Sequence, residues 1–130
     1  FIKWCHSNNL PIALITSSSS NSIKIKTSPH PWLDLFLIKV QGDDPLLSKG
    51  KPSPDPYLLG AKKLSLEPEY CWAVEDSISG TKSALSAGCK VWVLKANSKE
   101  LTAQNSVTKN NPVNIGHLNE ILKILKSLYQ

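Results

Sequence analysis

Short apolar runs, each about the length of a buried strand, alternate along this chain with segments whose apolar residues fall at helical spacing. Pro11–Thr16 (PIALIT), Phe36–Val40, Cys71–Val74 and Val91–Leu94 are the runs, and their lengths and flanking turn residues predict strands. Phe1–Asn9 reads as the last turns of a helix that ends at the Asn8–Asn9 pair, and a second helix is predicted near Asn21–Lys26. A third helix opens with Asp55 as N-cap and Pro56 at its first position and runs to Leu64. Leu58, Ala61 and Leu64 supply its buried face, and Gly60 weakens it. A small-residue helix through Ala84, Leu85 and Ala87 stops at Gly88. Pro112–Ile115 reads as a short edge strand. Leu118, Ile121, Leu122, Leu125 and Leu128 mark an amphipathic terminal helix that packs on the sheet. The polar stretch Ala96–Asn111 reads as a long loop with one helical turn near Ser98–Gln104.

Strands that alternate with helices predict an α/β, Rossmann-like fold, a parallel sheet flanked by helices. In such sheets ligands bind beyond the carboxyl ends of the strands, so the residues there are the candidates for chemistry. Glu75 and Asp76 follow the strand of Cys71–Val74. Two carboxylates at that place suit a hard cation with oxygen ligands, Mg²⁺ first, and through it a phosphate. The residues equally allow a plainer reading, in which Asp76 or Ser77 caps the next helix and Glu75 is solvated. Thr16 ends its strand and begins a hydroxyl run, Thr16-Ser17-Ser18-Ser19-Ser20. Such a run is commonly a flexible loop. Its place between a buried strand and a helix also suits it to cradle an oxyanion with hydroxyls and backbone N–H groups. Gly42-Asp43-Asp44 reads as a turn, and Lys51 sits in a proline-rich loop whose stiffness is the one local sign of a role.

The chain has 130 residues, 41% of them hydrophobic and 19% charged, which is ordinary for one globular domain with a core. Its net charge is +5, and all fifteen basic residues are lysines scattered along the chain. A nucleic-acid-binding surface usually concentrates basic residues in a stripe and uses arginine, so no nucleic-acid partner is expected. No apolar run is long enough to span a membrane, and the first residues lack a signal peptide's pattern, so a cytoplasmic protein is expected. Cys5, Cys71 and Cys89 form no paired motif, and His6, His30 and His117 stand apart from them. Reduced thiols and no zinc site follow. The chain starts at Phe1 and holds no Met, which suggests a piece of a longer protein.

ITSSSS, KGKPSPDPYLLGAKKL and CWAVEDSISGTKSALSAG occur in that order along the chain. This set resembles the haloacid dehalogenase-like (HAD) hydrolases, in the branch of β-phosphoglucomutases and sugar-phosphate phosphatases. The stretch VQGDDPLLSKGKPSPDPYL is similar to the phosphatases of that branch. The resemblance implies that Thr16 binds the transferring phosphoryl group, helped by backbone N–H groups near Ser17 and Ser18. It implies that Lys51 neutralises the phosphate, and that Glu75 and Asp76 form the Mg²⁺ site, with Asp76 the foremost ligand. The implied activity is Mg²⁺-dependent hydrolysis of a small phosphorylated metabolite, sugar phosphate or nucleotide-like, through a phospho-aspartate. Phosphosugar mutation is the nearest alternative, and the parent enzyme is expected to be a monomer.

The departures from the family pattern matter as much. No Asp-x-Asp occurs anywhere, and no cap-domain sequence is present. Residues 1–130 are therefore expected to be the carboxyl-terminal part of such an enzyme, without its nucleophile and cap. The core would be incomplete at a central first strand, which belongs between the strands of Pro11–Thr16 and Cys71–Glu75. Alone, the chain would be inactive, and its unpaired inner strands would either close on each other or leave a slot that favours self-association. A noncatalytic remnant that binds partners is the rival reading. A phosphoacceptor receiver domain is a second, but its acids should lie at the first strand, whereas here the acidic pair lies late.

Overall fold

The computed structural model describes residues 1–95 and 111–129; the turn expected near Ser98–Gln104 lies outside them. In chain order the elements are α1 (Ile2–Ser7), β1 (Ala13–Ile15), α2 (Ser20–Thr27), β2 (Ile38–Val40), α3 (Asp55–Lys63), β3 (Trp72–Glu75), α4 (Ile78–Ser86), β4 (Lys90–Leu94), β5 (Val113–Ile115) and α5 (Leu118–Leu128). Short 3₁₀ turns at Pro31–Leu35 and Pro68–Tyr70 lead into β2 and β3.

Every strand pairing is parallel, but the strands form two ladders. β1 pairs with β2, and β3, β4 and β5 form a separate three-stranded sheet in that order. No ladder joins β1 to β3. The three residues of β1 are only half-buried, as expected of a strand with one unmatched edge, whereas Val91, Trp92 and Val93 of β4 are buried.

Strand periodicity splits the core into two faces. Ala73, Val91 and Val93 point to one face, where they meet Tyr57 of α3 and Ala84 of α4. Trp72, Val74, Trp92 and Leu94 point to the other, against Cys5 of α1 and Ile121 and Leu125 of α5. The terminal helix packs as its apolar spacing predicts. Its start is fixed by a reciprocal cap: His117 Nδ1 accepts from the Asn119 N–H at 3.0 Å, and Glu120 Oε1 accepts from the His117 N–H at 3.0 Å.

Helix α3 departs from expectation in two ways. It starts one residue early, so Pro54 is the N-cap residue and Asp55 lies inside the first turn. The Asp55 carboxylate instead closes the preceding loop, accepting from the Lys49 N–H at 3.1 Å and the Ser53 hydroxyl at 2.8 Å. Leu58 faces solvent, and the buried face consists of Pro56, Tyr57, Gly60 and Ala61. Gly60 lies so close to Ile15 and Val40 that it sets how near α3 approaches the first sheet.

Candidate functional site

Three segments converge at the carboxyl ends of β1 and β3. The first is the hydroxyl run. The Thr16 N–H still pairs with the Val40 carbonyl at 2.9 Å, and the chain then leaves the sheet. Thr16 Oγ1 accepts from the Ser18 N–H at 3.1 Å, and the Ser19 hydroxyl caps α2 by accepting from the Ser22 N–H at 3.3 Å. The run is thus a folded loop and not a flexible linker.

The loop after β2 braces it. The Gly42 N–H donates to the Ser18 carbonyl at 2.9 Å, and a side chain at Gly42 would overlap the Ser17 carbonyl. Asp43 accepts from the Ser20 N–H at 2.8 Å and from its hydroxyl at 2.5 Å. These bonds hold the Asp43 carboxyl below its usual range. Asp44 is held low chiefly by its hydrogen bond to Lys63, with which it pairs at 2.5 Å. The two acids therefore do more than make a turn. The sequence carries no signal for this, because both partners lie some twenty residues away in the chain.

The second segment is the loop that carries Lys51, and the third is the end of β3. Lys51 Nζ donates to the Ile15 carbonyl at 3.2 Å and pairs with Glu75 Oε1, so it spans the gap between the two sheets. Glu75 is buried, which overturns the reading of it as solvated. Its Oε1 also accepts from the Tyr57 hydroxyl, and its Oε2 accepts from the Ser77 hydroxyl at 3.2 Å. Ser77 caps α4 by accepting from the Gly80 N–H at 3.1 Å. A side chain at Gly80 would collide with the Glu75 carboxylate, so the glycine makes room for it. Capping therefore falls to Ser77, and Asp76 is left exposed at the strand end.

A cavity of about 430 Å³ opens where the three segments meet. Thr16, Ser17 and Ser18 line it from β1, Glu75, Asp76, Ser77 and Ser79 from β3 and α4, and Lys51 from its loop, over Ile15 and Val74. Thr16, Ser17, Ser18, Lys51, Glu75 and Asp76, the site candidates of the sequence, thus line one cavity. Sequence reasoning missed Tyr57, because it assigned the buried face of that helix to Leu58, Ala61 and Leu64. It also missed Lys26, whose ammonium reaches back from α2 to the Ser18 hydroxyl at 3.1 Å.

Among the described residues no group of three or more His, Cys, Asp or Glu side chains could hold a metal alone. The donor set still fits Mg²⁺, which keeps several waters and needs only one or two carboxylates beside a substrate phosphate. Asp76 offers an open carboxylate, whereas both oxygens of Glu75 are engaged.

Fold and site together define a Rossmann-like α/β protein with its polar groups gathered at the strand ends. The chain belongs to the haloacid dehalogenase-like hydrolases, whose family model matches residues 1–94. It is 42% identical over 88 residues to the bifunctional riboflavin kinase/FMN phosphatase of Arabidopsis thaliana, covering 67% of this chain and 22% of that protein. It is 34% identical over 121 residues to hexitol phosphatase A of Escherichia coli K12, covering 93% of this chain and 48% of that one. Among solved structures, a HAD hydrolase of family IA, variant 3, from Entamoeba histolytica matches with a TM-score of 0.72 at 28% identity, over 96% of this chain and 57% of that one. The chain thus spans about half the length, or less, of the curated relatives it matches.

Proposed function

We propose that this chain forms the carboxyl-terminal part of a phosphatase that hydrolyses phosphate monoesters of a small metabolite, a sugar or polyol phosphate or a nucleotide-like one. The observation that carries the proposal is the convergence of Thr16, Ser17, Ser18, Lys51 and Asp76 on one cavity at the strand ends. Catalysis of phosphoryl transfer is mostly positioning and charge neutralisation, and these residues supply both. The Thr16 hydroxyl and the backbone at Ser17 and Ser18 orient the phosphate, and Lys51 neutralises its charge. Asp76, with Glu75 beside it, would hold Mg²⁺, which supplies further positive charge to the phosphate oxygens.

The attacking group would come from a strand seated between β1 and β3, the two strands that no ladder joins. From there a carboxylate would attack phosphorus as the P–O ester bond breaks, and a second acid on the same strand would give the leaving oxygen its proton. That group, as base, would then activate the water that cleaves the acyl phosphate to inorganic phosphate. We place the reaction in the cytoplasm, in keeping with an odd number of cysteines that form no paired motif. No described helix is long and apolar enough to cross a membrane.

The test is phosphate release by the full-length protein from hexitol phosphates, glycerol 3-phosphate and FMN, with Mg²⁺ and with a chelator. Release that the chelator abolishes is expected. Interconversion of phosphosugars without release would make the protein a mutase, and no reaction with any ester would overturn the proposal.

A further inference from the structure

Tyr57 is a phenol closed off from solvent on the inner face of α3, only 8% exposed, and the phosphate chemistry above gives it no part. Its hydroxyl nevertheless donates to Glu75 Oε1, the same oxygen that Lys51 contacts. The Lys51 ammonium lies 5.3 Å from the centre of the Tyr57 ring. On its far side the carboxylate is held by Ser77 and seated against Gly80. Glu75 is thus fixed from both sides, by α3 and by the start of α4.

An ammonium has three N–H donors. Lys51 gives one to the Ile15 carbonyl and one to Glu75 Oε1, which leaves a third for a ligand in the cavity that the residue lines. The direction of that third donor depends on where Glu75 Oε1 stands, because the lysine stem alone is flexible. Tyr57 also shares the charge on that oxygen, so the carboxylate does not hold the ammonium by itself.

We propose that Tyr57 is a positioning residue whose hydroxyl fixes Glu75 and thereby aims the free N–H of Lys51 at a phosphate in the cavity. This rests on the phosphatase reading of the same site. A core tyrosine that only fills space would be replaced by phenylalanine without consequence, and that difference is what the experiment measures.

Tyr57→Phe in the full-length protein removes the hydroxyl and nothing else. Three quantities are read: Tm, the kcat and KM for a phosphate ester, and the NMR signal of the Lys51 ammonium. The expected result is a Tm within a few degrees of wild type, kcat lower by about tenfold at nearly unchanged KM, as for other outer hydrogen-bond partners, and a shifted Lys51 signal. Leu58→Ala, on the solvent side of the same helix, should change neither kcat nor the signal. A lower Tm with unchanged kcat, or a lower kcat with an unmoved Lys51 signal, overturns the proposal. If the wild-type protein turns over no ester, the phosphatase reading fails, and the Lys51 signal alone decides whether Tyr57 positions the lysine.

Discussion

Lys51 and Glu75 form an ion pair that is almost closed to solvent, with side chains only 9% and 6% exposed. One comes from a loop and the other from a strand end 24 residues later, and the pair ties the two sheets together beside the cavity. Ion pairs of this kind are expensive to break, because removing one partner strands the other charge in a poorly solvated seat.

Lys51→Ala should therefore affect both rate and folding. Removing one partner of a buried pair costs about 3–5 kcal/mol, and losing a charge-stabilising group costs kcat on the order of a hundredfold. Urea denaturation and steady-state kinetics of the full-length protein separate the two effects. Adding Glu75→Gln to Lys51→Ala should restore part of the stability and none of the rate. A single variant as stable as wild type would contradict the burial argument.

Asp76→Asn is nearly isosteric and leaves the cap alone, because Ser77 does the capping. It should weaken Mg²⁺ dependence and suppress hydrolysis in the full-length protein while leaving Tm nearly unchanged. An unaltered Mg²⁺ titration would remove Asp76 from the metal site.

Two glycines offer a contrast. Gly42→Ala sets a methyl group against the backbone oxygen of Ser17, which cannot rotate away, so the brace of the hydroxyl loop must shift. Gly60→Ala meets chiefly the tip of the Ile15 side chain, which can rotate, and gains about 1 kcal/mol of helix propensity. Gly42→Ala should be the more destabilising by at least about 1 kcal/mol, the size of an ordinary overpacking cost. Equal denaturation midpoints would contradict the loop geometry.

Alkaline pH should weaken the fold through two buried groups. Burial pushes the Cys89 thiol up to about 11 from 9.0, and raises the Tyr57 phenol above its ordinary 10.0. A raised folded value favours the protonated native state. The contribution is complete below the unfolded value and is lost as pH rises through the folded one. For Cys89 that window is pH 9 to 11. Urea midpoints should fall across it in wild type, and fall less in Cys89→Ala. Parallel curves for the two proteins would remove Cys89 as a cause.

The chain of 130 residues by itself should self-associate and release no phosphate. The facing edges of β1 and β3 carry no ladder between them, and apolar strand edges of this kind pair with other chains. Size-exclusion chromatography with light scattering, beside a phosphate assay, tests both halves. A monomer that turns over substrate would refute the assignment of the attacking group to another segment.

The elements were legible because they are local. Apolar runs at Pro11–Thr16 and Val91–Leu94 and the heptad-like spacing of Leu118 to Leu128 specify strands and a helix through periodicity alone. Thr16 and Asp76 were legible as candidates because strand ends in parallel sheets are where ligands bind, and Lys51 only through its stiff loop and the family resemblance. Leu58 and the start of α3 were misread because propensity and spacing say which residues can face a core, not which one the neighbouring sheet selects. Only the tertiary structure decided what the charged residues do. Glu75, which the plainer reading left solvated, became the buried hub that joins Lys51, Tyr57 and Ser77, and Asp43 passed from a turn residue to a brace on Ser20. A local pattern fixes which face of an element is apolar, but the partner of a polar group is set by segments far away in the chain. Burial then makes that partner compulsory, because a carboxylate removed from water must find donors wherever the fold brings them.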